Sequence, residues 1–162
     1  MSKINFKEAF RNIIIILTVF LLDRFSKIYI LKLAELDNPV DIYLTPYLNL
    51  YLIWNKGIAF GLFSFNESYI YNLVSIIILI VIFIVLVMLK NSQGVKKYCL
   101  IFIFGGSLGN FFDRLYYSAV PDFIDFHINN FHWFIFNLAD IFISLGVVFL
   151  IINEISLNTK ND

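Results

Sequence analysis

The chain has 162 residues, of which 60% are hydrophobic and only 15% charged, with a formal net charge of zero; its mean hydropathy is +0.81. That balance excludes an ordinary soluble globule and a basic nucleic-acid or surface reader, and predicts one polytopic membrane domain over 1–162. A single cysteine, Cys99, excludes a disulfide framework and a thiolate metal cage, and two histidines are too few for a histidine-rich centre.

Four stretches are long and apolar enough for membrane helices, which need roughly 20 residues each. They run at about 12–31, 69–89, 97–117 and 137–155. The first opens like a secretory signal, with Lys3, Lys7 and Arg11 ahead of an apolar run. It then meets Asp23, Arg24 and Lys27 without a small-residue cleavage site, and reads as an uncleaved anchor. The loop 32–68 follows. Its stretch Tyr47 to Trp54 alternates with period two, as a strand does, but both faces are apolar, which predicts a small sheet at the membrane surface. Asn55, Lys56 and Gly57 read as a turn, and Ile58 to Phe65 as a short interfacial segment. The second span is uncharged from Leu73 to Met88; the third ends on Asn110, Asp113 and Arg114; a second loop, 118–135, leads into the fourth. The fold expected is therefore an all-α membrane protein of four transmembrane helices with a small extracytoplasmic β-sheet cradle.

Lysines and arginines collect ahead of the first span, between the second and third (Lys90, Lys96, Lys97) and after the fourth (Lys160). This bias predicts that both termini are cytoplasmic and both long loops lie outside. Asp23 and Lys27, Asn110, Asp113 and Arg114, and Asn137 and Asp140 then fall within roughly 12 Å of the outer boundary at 1.5 Å rise per residue. Their i,i+3 and i,i+4 spacings give each helix one polar face, and Gly105, Gly106 and Gly109 let a neighbouring helix approach.

Carboxylates at a bilayer rim are costly, and two on one face, Asp122 and Asp140, suggest acid–base chemistry on a peptide or ester bond. Blander readings stand beside this one. Asp23 with Lys27 reads equally as a structural ion pair, and Asn110, Asp113 and Arg114 as a packing network. Asn137 with Asp140 reads as a helix cap and its N3 carboxylate. Spacing does not separate Asp122 from Asp125. His127 and His132 lack an evident third ligand, so no metal is expected. A small proton-coupled transporter or channel is the alternative function, disfavoured because the charges gather on one side only.

Five blocks in order carry a resemblance. They are Asp23-Arg-Phe-Ser-Lys27, Asn55-Lys-Gly-Ile-Ala-Phe-Gly61, Gly105-Gly-Ser-Leu-Gly-Asn-Phe-Phe-Asp-Arg114, Val120-Pro-Asp-Phe-Ile-Asp125 and Phe136-Asn-Leu-Ala-Asp140. Together they closely resemble lipoprotein signal peptidase (signal peptidase II), a family of bacterial intramembrane aspartyl peptidases. The resemblance implies removal of signal peptides from prolipoproteins, before a cysteine that already carries diacylglycerol, in the bacterial inner membrane. It implies Asp122 and Asp140 as the catalytic pair, so choosing Asp122 over Asp125. Asp23, Lys27, Asn55, Gly57, Asn110, Asp113, Arg114 and Asn137 become substrate-binding or supporting residues. It further implies membrane lipid as a partner, globomycin-type inhibitors as ligands, and no cofactor, metal or nucleic acid. Pro121, Ser107 and Ile58 depart from the residues usual in that family.

Overall fold

The computed structural model describes residues 6–36, 40–57, 68–129 and 131–158. The first helix, α1, spans Phe6–Leu36, and its 31 residues run past both ends of the predicted span. At 1.5 Å per residue it is about 46 Å long, more than a hydrocarbon core requires. Strands β1 (Asp41–Thr45) and β2 (Leu48–Asn55) follow, then α2 (Ser68–Asn91) and α3 (Gly94–Tyr117), strands β3 (Val120–Ile128) and β4 (Phe131–Phe136), and α4 (Leu138–Asn158). The interfacial segment expected at Ile58 to Phe65 lies outside the described residues.

Chain connectivity sets the architecture. β1 follows the C-terminus of α1, β2 precedes α2, β3 follows α3 and β4 precedes α4. One end of the helix bundle therefore carries the whole sheet, which is antiparallel in the order β1-β2-β3-β4. At the other end the α2–α3 turn passes through Gly94, held at φ +59°, a conformation an L side chain strains to adopt. There Lys97 pairs with Glu8 at 2.8 Å and Lys96 with Glu154 at 2.5 Å, tying α3 to α1 and to α4.

Helices α2 and α4 are long and apolar enough to cross a membrane by length and composition. α1 and α3 instead carry the buried polar groups Asp23, Lys27, Asp113 and Arg114. One buried apolar cluster, Val85, Leu89, Leu100, Ile101 and Ile103, lies between α2 and α3, with Ile15 and Ile16 of α1 and Leu150 of α4 packed against it. Elsewhere large apolar side chains face outward, among them Ile76, Ile80, Phe83 and Ile84 of α2. In water that surface would be prohibitive; it suits hydrocarbon.

The sheet is larger than the sequence suggests. The loop 118–135 folds as the β3–β4 hairpin, turning at Asn129 with φ 53°. Period-two reading misses β3 because seven of its first eight residues are not exposed in alternation but buried or half-buried, polar ones included. In β2 a register irregularity between Leu50 and Ile53 inverts which residues face which side. This explains why neither face of β2 reads as polar. Pro121 has no N–H to give, and β4 begins pairing only at Ile124, so the proline lies where β3 has no β4 neighbour.

Candidate active site

Asp122 and Asp140 approach each other from two elements joined through one residue. Asn137 immediately precedes α4, so its side chain can cap that helix. Its Oδ1 accepts from the Asp140 N–H at 3.2 Å, and Asp140 Oδ2 accepts from the Asn137 N–H at 3.2 Å. This is the reciprocal capping box expected of a cap and its N3 acid. The Asn137 amide has a second task, donating to Asp122 Oδ1 at 2.6 Å. Cap and site share the same atoms.

The other oxygens are also satisfied. Asp122 Oδ2 accepts from Asn55 Nδ2 at 2.8 Å. Asn55 pairs in register with Val120, two residues before Asp122, so the contact is a diagonal neighbour pair on one face of the sheet. Asn55 Oδ1 accepts from the Gly57 N–H at 2.8 Å, which closes the turn after β2. Arg114 donates to the Gly57 carbonyl and lies over the Tyr71 ring, 5.6 Å from its centroid. Tyr71 in turn donates to the Arg114 carbonyl at 3.1 Å. Asp140 Oδ1 accepts from Asn110 Nδ2 at 2.8 Å.

Behind this pair lies a buried ionic cluster. Lys27, fully enclosed, reaches Asp23 at 2.8 Å and Asp113 at 2.7 Å and donates to Asn110 Oδ1 at 2.8 Å. The Asn110 amide is thus held at one end by a cation and presents its N–H groups to Asp140. Arg24 pairs with the other oxygen of Asp113, which balances two cations against two carboxylates. Asp23 Oδ1 accepts from the Ala139 N–H at 3.0 Å, satisfying a second free donor in the first turn of α4. Gly109 permits that arrangement, since a Cβ there would stand 2.5 Å from Asp23 Oδ2.

The ten residues that the resemblance implies for the site therefore fall within this connected network, and Asp122, Asp140, Asn55, Asn110 and Asn137 meet at its centre. Arg24 and Tyr71 also belong to it and sequence reasoning passed them over. For Arg24 a signal existed: Lys27 alone cannot neutralise both Asp23 and Asp113. Asp125 does not join; it faces His127 and His132 instead.

Burial pushes the Asp122 carboxyl up to about 7, and the neighbouring Asp140 carboxylate adds to the rise, against the opposing hydrogen bonds from Asn55 and Asn137. The group is therefore poised to hold or release a proton near neutrality.

Residues 15–156 match the family model described as signal peptidase (SPase) II. The lipoprotein signal peptidase of Pelagibacter ubique is 58% identical over 161 residues, covering 99% of this chain and 96% of that protein. That of Anaplasma phagocytophilum is 40% identical, covering 92% and 94%. Two solved structures of a bacterial membrane enzyme obtained by the in meso method are similar in fold, each at 28% identity. One has a TM-score of 0.74 and covers 94% of this chain and 92% of its own; the other has 0.71, covering 88% and 91%. A fold with this outward apolar surface, matched to a membrane enzyme, is membrane-embedded, and the chain belongs to the signal peptidase II family.

Proposed function

We propose that this protein is an aspartic endopeptidase of the bacterial inner membrane that removes signal peptides from prolipoproteins, cutting before a diacylglyceryl-modified cysteine. The single observation that carries the aspartic mechanism is the linkage of Asp122 and Asp140 through Asn137, in a buried setting that lifts the Asp122 carboxyl to about 7. Two carboxyls held close do not both ionise, so the pair shares one proton around neutrality and titrates as a unit.

The chemistry then needs only these side chains and water. The ionised member takes a proton from a water held between the two while the protonated member donates to the scissile carbonyl. Water oxygen adds to the carbonyl carbon, giving a tetrahedral intermediate. Collapse breaks the C–N bond, and a carboxyl returns a proton to the leaving amine. Asn55, Asn110 and Asn137 hold the carboxylates in place by donation, and the Lys27 cluster fixes Asn110.

All four helices are read as transmembrane, with the sheet end outside and both termini inside. The basic residues at the end away from the sheet, Lys7 and Arg11 of α1, Lys90 of α2 and Lys96 and Lys97 of α3, support that orientation, as do Trp54, Trp133 and Tyr47, exposed on the sheet. Two acyl chains would hold a modified cysteine at the membrane surface near the sheet, confining the search to the membrane plane. Globomycin-type inhibitors are expected to compete for the same site.

The deciding experiment uses purified protein in detergent with a diacylglyceryl-modified prolipoprotein. Asp122→Asn and Asp140→Asn are each expected to lower the cleavage rate by roughly 10²–10⁴-fold while the protein remains monodisperse. Asp125→Asn is expected to keep substantial activity. Near wild-type cleavage by either of the first two variants would sink the assignment.

A further inference from the structure

Across the sheet from the carboxyl pair, three other chemistry-bearing side chains come together. Asp125 and His127 are alternate residues of β3 and so share a face. Asp122, three residues before Asp125, belongs to the opposite one. His132 of β4 is the register partner of His127, and Asn49 of β2 is the register partner of Asp125. Directly opposed residues of antiparallel strands project to the same side, so all four share one side of the sheet.

The convergence is close and electrostatically incomplete. Asp125 Oδ2 lies 2.8 Å from His132 Nδ1 and 3.5 Å from His127 Nδ1. The imidazole rings sit 5.3 Å apart, 30° from parallel. Asp125 is 1% exposed and His127 7%. Yet Asp125 Oδ1, His127 Nδ1 and Asn49 Oδ1 are buried without a hydrogen-bond partner among the described residues. Leaving buried acceptors unmatched costs about 1–3 kcal/mol each, so three on one side of the sheet call for a shared electropositive partner.

We propose that Asp125, His127 and His132 form a binding site for a divalent transition-metal cation of the Zn²⁺ class, with Asn49 Oδ1 as a fourth donor. Two imidazoles and a carboxylate suit zinc and its first-row neighbours rather than Ca²⁺ or Mg²⁺, which take oxygen ligands. Donors around tetrahedral zinc stand roughly 3.4 Å apart at bond lengths near 2.1 Å. In the cluster one ligand atom from each of the three residues lies within 4.8 Å of the others. Rotation of His132, whose side chain is 57% exposed, supplies both the remaining closure and an entry path. The bound ion would clamp β2, β3 and β4 together on the face that the peptidase reading leaves unused. It takes no part in peptide cleavage, so the proposal stands or falls independently of that reading.

The test uses full-length protein without a histidine tag, in detergent, stripped by chelator and dialysed. Titration with ZnCl₂ by calorimetry is expected to show saturable binding of one Zn²⁺ per chain, and Co²⁺ to give a visible ligand-field spectrum. His132→Ala, which removes a mostly exposed side chain, is expected to weaken Zn²⁺ binding at least tenfold. Asp125→Asn should weaken it comparably, and excess Zn²⁺ should raise the Tm of the wild type but not of His132→Ala. Absence of saturable binding, or affinity unchanged by His132→Ala, overturns the proposal.

Discussion

Lys27 is fully buried between Asp23 and Asp113. Removing one partner from a buried ionic cluster is far costlier than the cluster is worth, because the remaining charges stay desolvated. Lys27→Met leaves two carboxylates facing one remaining guanidinium, Arg24, and is expected to destabilise the protein by about 3–5 kcal/mol, read by thermal unfolding in detergent. Asp122 carries the pH dependence. Its carboxyl titrates at 3.8 in the unfolded chain and about 7 in the native protein. Between those values the folded state holds the extra proton, so stability is lost as pH rises through this window. The Tm of Asp122→Asn minus that of wild type should therefore grow more positive from pH 4 to pH 8; a flat difference would remove the raised carboxyl. Cleavage by the wild type should also fall above about pH 7, as the shared proton is lost. Much of this was legible in residue order: Asp23 and Lys27 at i,i+4 pair as their spacing predicts, and Asn137 with Asp140 cap α4. The charge count hinted at Arg24, but its partner was not legible, because Asp113 is 89 residues away and only helix packing brings them together.

The glycines of α3 act at the level of whole elements. A Cβ on Gly106 would stand 2.7 Å from the Ala139 carbonyl oxygen and 2.9 Å from Ile143. Neither backbone can yield without separating α3 from α4, so Gly106→Ala is expected to cost about 1–3 kcal/mol and to lower Tm. Cleavage should drop too, since Asn110 and Asp140 lie on those two helices. Helix positions are the most legible part of the fold because long apolar runs mark them, most plainly in α2 and α4. The strands are the least. β1 and β3 lack clean alternation, β2 changes phase at its irregularity, and what joins the two hairpins into one sheet is the pairing of β2 with β3, segments separated by more than sixty positions, as Asn55 with Asp122. The polar network was legible in most of its members, Arg24 and Tyr71 excepted, but not in its wiring. No spacing rule says that Asn137 serves both carboxyls or that Asp125 turns toward the histidines.

The molecule as a whole has two unlike ends. One bears the sheet with its exposed Trp54, Trp133 and Tyr47; the other bears Lys96 and Lys97, each bound to an acid on a neighbouring helix. Orientation in the membrane is testable because the single native thiol, Cys99, is buried. In a Cys99→Ser background, a cysteine placed at Tyr47 is expected to react with a membrane-impermeant maleimide in intact cells, whereas one placed at Lys90 should react only after permeabilisation. The reverse pattern would invert the topology and put the carboxyl pair on the cytoplasmic side.

The alternation of β3 has one more consequence, for the lengths this chain can tolerate. Asp122 and the Asp125–His127 set are kept apart only by parity, an odd number of steps along one strand. Deleting one residue between them would turn one set onto the other's side, mixing three carboxyls around a single cavity. A deletion at the hairpin tip, beyond Ile128, leaves that parity intact. Families of this fold should therefore vary in length at the tip while holding the count from Asp122 to Asp125 fixed.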